Sequence, residues 1–158
     1  MPRGFKNREN REFAIAYLDG TRLQRALEAG IAHVFQRREY LNRINVFPVP
    51  DGDTGTNMAF TFKSISDALQ GPGIERADVV LDRTAEAALD GARGNSGAIM
   101  AQYFQGLREA AHGSRLLTAE TLATASLAGS RAAWQAMAKP VPGTLPTVLE
   151  DFSRSLKS

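Results

Sequence analysis

The sequence predicts an all-α fold, an antiparallel bundle of six or so helices in one domain. Apolar residues recur at spacings of three and four, the period of a helix face, in several stretches. No stretch shows the alternation of a half-buried strand, and no segment repeats. Connectors rich in Gly, Pro, Asn, Asp, Ser or Thr separate the helical stretches. The chain of 158 residues has the usual size of a single domain and can bury a core without staples.

In chain order, residues 1–20 read as a polar arm or a short first helix, and 21–158 as the helical domain. Thr21-Arg22-Leu23-Gln24 has the form of a capping box. Leu23, Leu27, Ile31 and Val34 then form one stripe of a helix reaching about Leu41. Pro48 and Pro50 forbid helix in Asn45–Pro50, and Asp51–Gly55 is a polar turn. A second helix is predicted from Thr56 to Leu69, closed by Gln70-Gly71-Pro72-Gly73. A third spans 77–90, with Val80, Leu81, Ala85, Ala88 and Leu89 apolar. Gly91–Gly97 reads as a break. Ile99, Met100, Tyr103, Phe104 and Leu107 then mark a fourth helix ending near His112. Thr118 and Glu120 suit the first turn of an alanine-rich helix to Ala138, whose small residues let neighbours approach closely. After Lys139–Gly143, a short helix runs from Thr147 to Leu156. His33 and His112 read as structural or solvent-facing, and Trp134 and Met137 as core.

Composition narrows the function. With no cysteine, the chain excludes disulfides, Cys-ligated zinc, iron–sulfur clusters and a thiol nucleophile, which suits a cytoplasmic setting. No apolar run approaches the ~18 residues of a membrane span, and no apolar stretch follows the basic start as in a secretory signal. Residues 1–43 hold 9 Lys/Arg against 5 Asp/Glu, so this end is basic, as an ordinary solvated helix face or one that meets an acidic partner or phosphates. Aromatics do not interleave with these charges, so no nucleic-acid partner is expected.

Three connectors lead into helix starts. In an extended segment Asp51 and Asp53 point the same way, with Gly52 permitting a bend between them. Two carboxylates aimed at one point suit Mg²⁺ together with phosphate oxygens. The same two residues also suit an N-cap turn in which they only satisfy backbone amides. An EF-hand is excluded, because Gly55 falls at loop position five rather than six and Phe62 occupies the place of the closing Glu. Gly91-Ala92-Arg93-Gly94-Asn95-Ser96-Gly97 would let backbone amides approach an anion, or form a plain helix–helix turn. It is neither a Walker loop nor a dinucleotide fingerprint nor a nucleophile elbow. Val141-Pro142-Gly143-Thr144 adds a hydroxyl and amides. No Ser–His–Asp arrangement is present, and no catalytic base or nucleophile stands out.

The string Leu41–Met58, containing NVFPVPDGDTGTNM, resembles the nucleotide-binding domain of the dihydroxyacetone-kinase L type (DhaL), the DAK2 domain. Its closest likeness is to the branch at the N-terminus of bacterial fatty acid kinase subunits. Gly91–Gly97 matches that branch's second motif, and Pro140–Val148 resembles its third. The resemblance covers about Leu23 to Val148. It implies a closed barrel of antiparallel helices binding ATP at one end. Asp51 and Asp53 would hold Mg²⁺, with Asn45 nearest the place of a third aspartate. Thr54, Thr56 and Asn57 would contact phosphate, Gly94, Asn95, Ser96 and Gly97 would close over it, and Thr144 would lie near the nucleotide. Pro142 stands where the family has an acidic residue and Pro146 where it has an aliphatic one, which should stiffen or shorten the last helix start. The family domain continues for further helices, so a barrel incomplete at the C-terminus is expected. The implied activity is ATP- and Mg²⁺-dependent phosphoryl transfer. The acceptor would be a fatty acid carboxylate presented by a fatty-acid-binding, DegV-like partner; a homodimer is compatible with this. The alternatives are a dihydroxyacetone-type kinase subunit or an inactive helical interaction module.

Overall fold

A computed structural model describes residues 16–47 and 49–157. Six α-helices account for its regular structure: α1 Gly20–Arg43, α2 Thr54–Ala68, α3 Ala77–Asp90, α4 Gly94–Ala110, α5 Ala119–Gln135 and α6 Leu145–Ser155. Among the described residues the only β-pairing is an isolated bridge between Leu18 and Leu117. The expected arm or helix over 1–20 lies outside the described residues up to position 15; residues 16–19 are not helical.

Helix ends are set by bonds that cross the fold. The expected capping box at Thr21 does not form. Instead Asp19 is the N-cap, its carboxylate accepting from the Arg22 amide at 2.8 Å. Gln24 is drawn away because it is buried and serves distant groups. Its amide donates to the Leu69 carbonyl at 2.7 Å and accepts from the Ile74 amide at 3.3 Å. A capping box does form at α5, between Thr118 and Thr121. α4 begins at Gly94, so the second half of the glycine motif is its first turn rather than a loop. α6 begins at Leu145, two residues earlier than expected. Pro146 sits in its first turn, where an amide would have no partner to lose.

These bonds also show the antiparallel order. The start of α1 meets the end of α2 through Gln24 and Leu69, and the end of α1 meets the start of α2 through Asn42 and Thr56. The amides of Ala77 and Asp78, opening α3, donate to the carbonyls of Arg115 and Ser114, just beyond α4. Each helix packs on its successor; α4 and α5 share the broadest face, and the backbones of α1 and α6 do not approach each other closely. The core holds Ile65, Leu69, Val80, Leu81, Phe104 and Leu107, with Phe62 edge-on to Phe104 at 6.4 Å. Between α4, α5 and α6, the buried hydroxyls of Tyr103, Ser126 and Ser153 form a chain with links of 2.7 Å. Trp134, expected in the core, is half-buried because its indole N–H reaches Glu150 at 3.0 Å. Met137 is partly buried against the core. Leu89 faces outward, as do both histidines.

The alternation brings the ends of α1, α3 and α5, and the starts of α2, α4 and α6, to one end of the bundle. The three unusual connectors therefore lie together.

Candidate functional site

The first connector is organised by two asparagines. Asn45 donates from its side-chain amide to the Val49 carbonyl at 2.8 Å, and its oxygen accepts from the Thr54 amide at 3.1 Å and from the Thr54 hydroxyl. Asn42 accepts from the Thr56 amide and donates to the Thr56 hydroxyl, both at 3.0 Å. Two amides of the first turn of α2 are thus satisfied from the end of α1. Gly55 lets the two helices meet, since a Cβ there would lie 2.2 Å from the Arg38 carbonyl oxygen. This work by asparagines frees the aspartates. Asp53 occupies the N-cap position of α2, yet its carboxylate makes no capping bond; it accepts from the Asn57 side chain at 2.7 Å. Asp51 is exposed and has no hydrogen bond or ion pair among the described residues. The turn in which both carboxylates only serve backbone amides is therefore not the one that forms. Gly52 makes the bend with φ +67°.

The second connector is short and lies directly on the first. Gly94 has φ +57°, and a Cβ there would sit 2.3 Å from the Asn57 side-chain nitrogen. Ser96 donates to the Thr54 carbonyl at 3.3 Å. No side chain caps α4, so the amides of Gly94, Asn95 and Ser96 open the helix without intrahelical partners. In the third connector Thr144 donates to the Val141 carbonyl at 2.6 Å, and the Gly143 amide donates to the Thr147 hydroxyl at 2.9 Å.

All three connectors line one open cavity of about 560 Å³. Of the residues expected in a site, Asn45, Asp51, Asp53, Thr54, Gly94, Asn95, Ser96 and Thr144 are on its wall. Thr56, Asn57 and Gly97 are not: Thr56 is paired with Asn42, Asn57 braces Asp53, and Gly97 packs against Thr61. Sequence reasoning missed Lys139 and a broad apolar wall that includes Val34, Leu41, Met58, Ile99 and Leu145. No local periodicity marked Lys139, because the segment reaches the cavity through a bend at Ala138 and Lys139 and a turn at Pro142 and Gly143.

Two carboxylates with open oxygens, backbone amides at helix starts and hydroxyls make a donor set suited to a hard cation bridging to phosphate. No group of three or more His, Cys, Asp or Glu forms a self-sufficient metal cage among the described residues. Two carboxylates fit Mg²⁺, which commonly completes its shell with water and substrate oxygens. No side chain on the wall is placed as a nucleophile, and Asp51 and Asp53 are its only acidic groups.

Residues 48–158 match the family described as the DAK2 domain. Protein YloV of Bacillus subtilis (strain 168) is 36% identical over 141 residues, covering 89% of this chain and 26% of that protein. An uncharacterized protein of Staphylococcus saprophyticus is 33% identical over 137 residues, covering 87% of this chain and 25% of its own. One from Staphylococcus aureus (strain USA300) is 31% identical over 141 residues, 89% and 26% respectively. The chain thus spans about a quarter of the length of the curated relatives it matches.

Proposed function

We propose a phosphotransferase role for this chain, which belongs to the DAK2 domain family. The family is one of kinase-related, nucleotide-binding modules. Our reading is an ATP- and Mg²⁺-dependent kinase domain, spanning 21–158, that transfers the γ-phosphoryl group to a small acceptor, a fatty acid carboxylate held by a partner protein. The observation that carries it is the meeting of three helix starts and two uncapped carboxylates on one cavity.

Phosphoryl transfer asks little covalent chemistry of a protein. It asks for positioning and for groups that meet developing charge. Asp51 and Asp53 would hold Mg²⁺, with Asn45 fixing the loop that carries them. Bound there, Mg²⁺ would supply charge neutralisation for the β- and γ-phosphate oxygens. The amides of Gly94, Asn95 and Ser96 would donate to phosphate oxygens, where the positive end of the α4 dipole adds attraction. Thr54 and Thr144 line the same wall. A carboxylate acceptor is already ionised at neutral pH, so the lack of a base on the wall suits it. Its oxygen would bond to the γ-phosphorus as the bond to the bridging oxygen breaks, giving an acyl phosphate and ADP. Val46, Phe47 and Val49 are more than half exposed beside the carboxylates, which supports a partner that docks at the mouth and presents the acceptor.

The test is calorimetric titration of Mg·ATP into the chain and into Asp51→Asn and Asp53→Asn. Each substitution should weaken nucleotide binding, and more so in Mg²⁺ than in its absence. Equal binding by all three proteins would reject the assignment.

A further inference from the structure

We propose that Lys139 is a phosphate-binding residue of the cavity. This rests on the nucleotide reading above and adds to it a positive group that neither the acidic turn nor the glycine loop puts on the wall.

The geometry points to Lys139 in three ways. Lys139 lines the cavity between Met137 and Val141, which line it too and are part-buried. They anchor the segment on either side of the bend that Ala138 and Lys139 make. Its side chain is thereby directed to the cavity by the fold rather than by chance on the surface. Second, Lys139 is the sole cationic side chain on the wall among the described residues, and it has no ion pair. Third, the cation that the sequence places nearest the phosphate loop, Arg93, is held elsewhere. Its guanidinium lies 5.0 Å over the Phe60 ring, and it is absent from the wall.

The chemistry suits a polyanion. An ammonium offers three donors on a flexible stem, so it can follow phosphate oxygens that move during transfer. Asp51 and Asp53 alone make the wall acidic, and without a cation they would repel a triphosphate.

Titration of Mg·ATP into the 158-residue chain, Lys139→Gln, Lys139→Arg and Asp53→Asn tests this. Lys139→Gln should bind about tenfold more weakly and lose part of the salt dependence, while Lys139→Arg should stay within about threefold of the parent. Both lysine variants should melt with the parent, since the side chain is exposed. Unchanged affinity in Lys139→Gln, beside a loss in Asp53→Asn, overturns the role of Lys139 and leaves the kinase reading standing. A loss in Lys139→Arg as deep as in Lys139→Gln means that shape rather than charge matters, and also overturns it. A parent chain that binds no Mg·ATP removes the kinase reading and the role of Lys139 together.

Discussion

Gly94 carries a large share of the site on one backbone angle. Its φ of +57° turns the chain into α4, and its missing Cβ leaves room for Asn57, which in turn holds Asp53. Gly94→Ala would both strain the left-handed backbone and push Asn57 aside. We expect a loss of about 1–3 kcal/mol, read as a lower melting temperature by calorimetry. The glycine was legible in its motif; its contact with a residue 37 positions earlier was not. Asp78 makes a prediction of a different kind. Hydrogen bonds from the Arg76 guanidinium at 3.0 and 2.5 Å hold its carboxyl below the usual range, against burial, which raises it. The folded pKa lies below the unfolded one, so the stabilisation is present above the unfolded value of about 3.9 and lost as pH falls through the folded value. Urea midpoints of the parent and Arg76→Gln should differ at pH 7 and converge as pH falls below the folded value of Asp78; a constant gap would reject this.

At the scale of the element, the packing of α4 on α5 rests on small residues. A Cβ at Gly106 would lie 2.8 Å from the Ala128 carbonyl oxygen, and one at Gly129 would lie 2.6 Å from that of Tyr103. Either Gly→Ala change should cost about 1–3 kcal/mol because backbone would have to move. Gly30 in α1 meets nothing within 4 Å, so Gly30→Ala should instead stabilise by up to about 1 kcal/mol. Denaturant melts of the three variants check the opposite signs. The small-residue character of α5 was readable from its composition. Helix starts were less so: Thr54, Gly94 and Leu145 each precede the expected start. Local rules place Gly and Pro outside helices, whereas Asn42 and Asn45 from a neighbouring helix end supply the caps that let α2 begin early.

For the whole molecule, binding at the convergent cavity should stabilise the fold. Mg·ATP at about 100 times its dissociation constant should add about 2.7 kcal/mol and raise the melting point, whereas an inactive helical module would show no shift at millimolar nucleotide. The sequence by itself determined the helical class, the order of six helices and the motif residues, because periodicity, prolines and glycines act over a few neighbouring positions. The tertiary structure alone decided that Asp51 and Asp53 are left uncapped, that Arg93 is held on Phe60 while Lys139 faces the cavity, and that three connectors spread over about a hundred residues share one wall. These depend on which helix ends meet, and that is settled by packing between faces far apart in the chain.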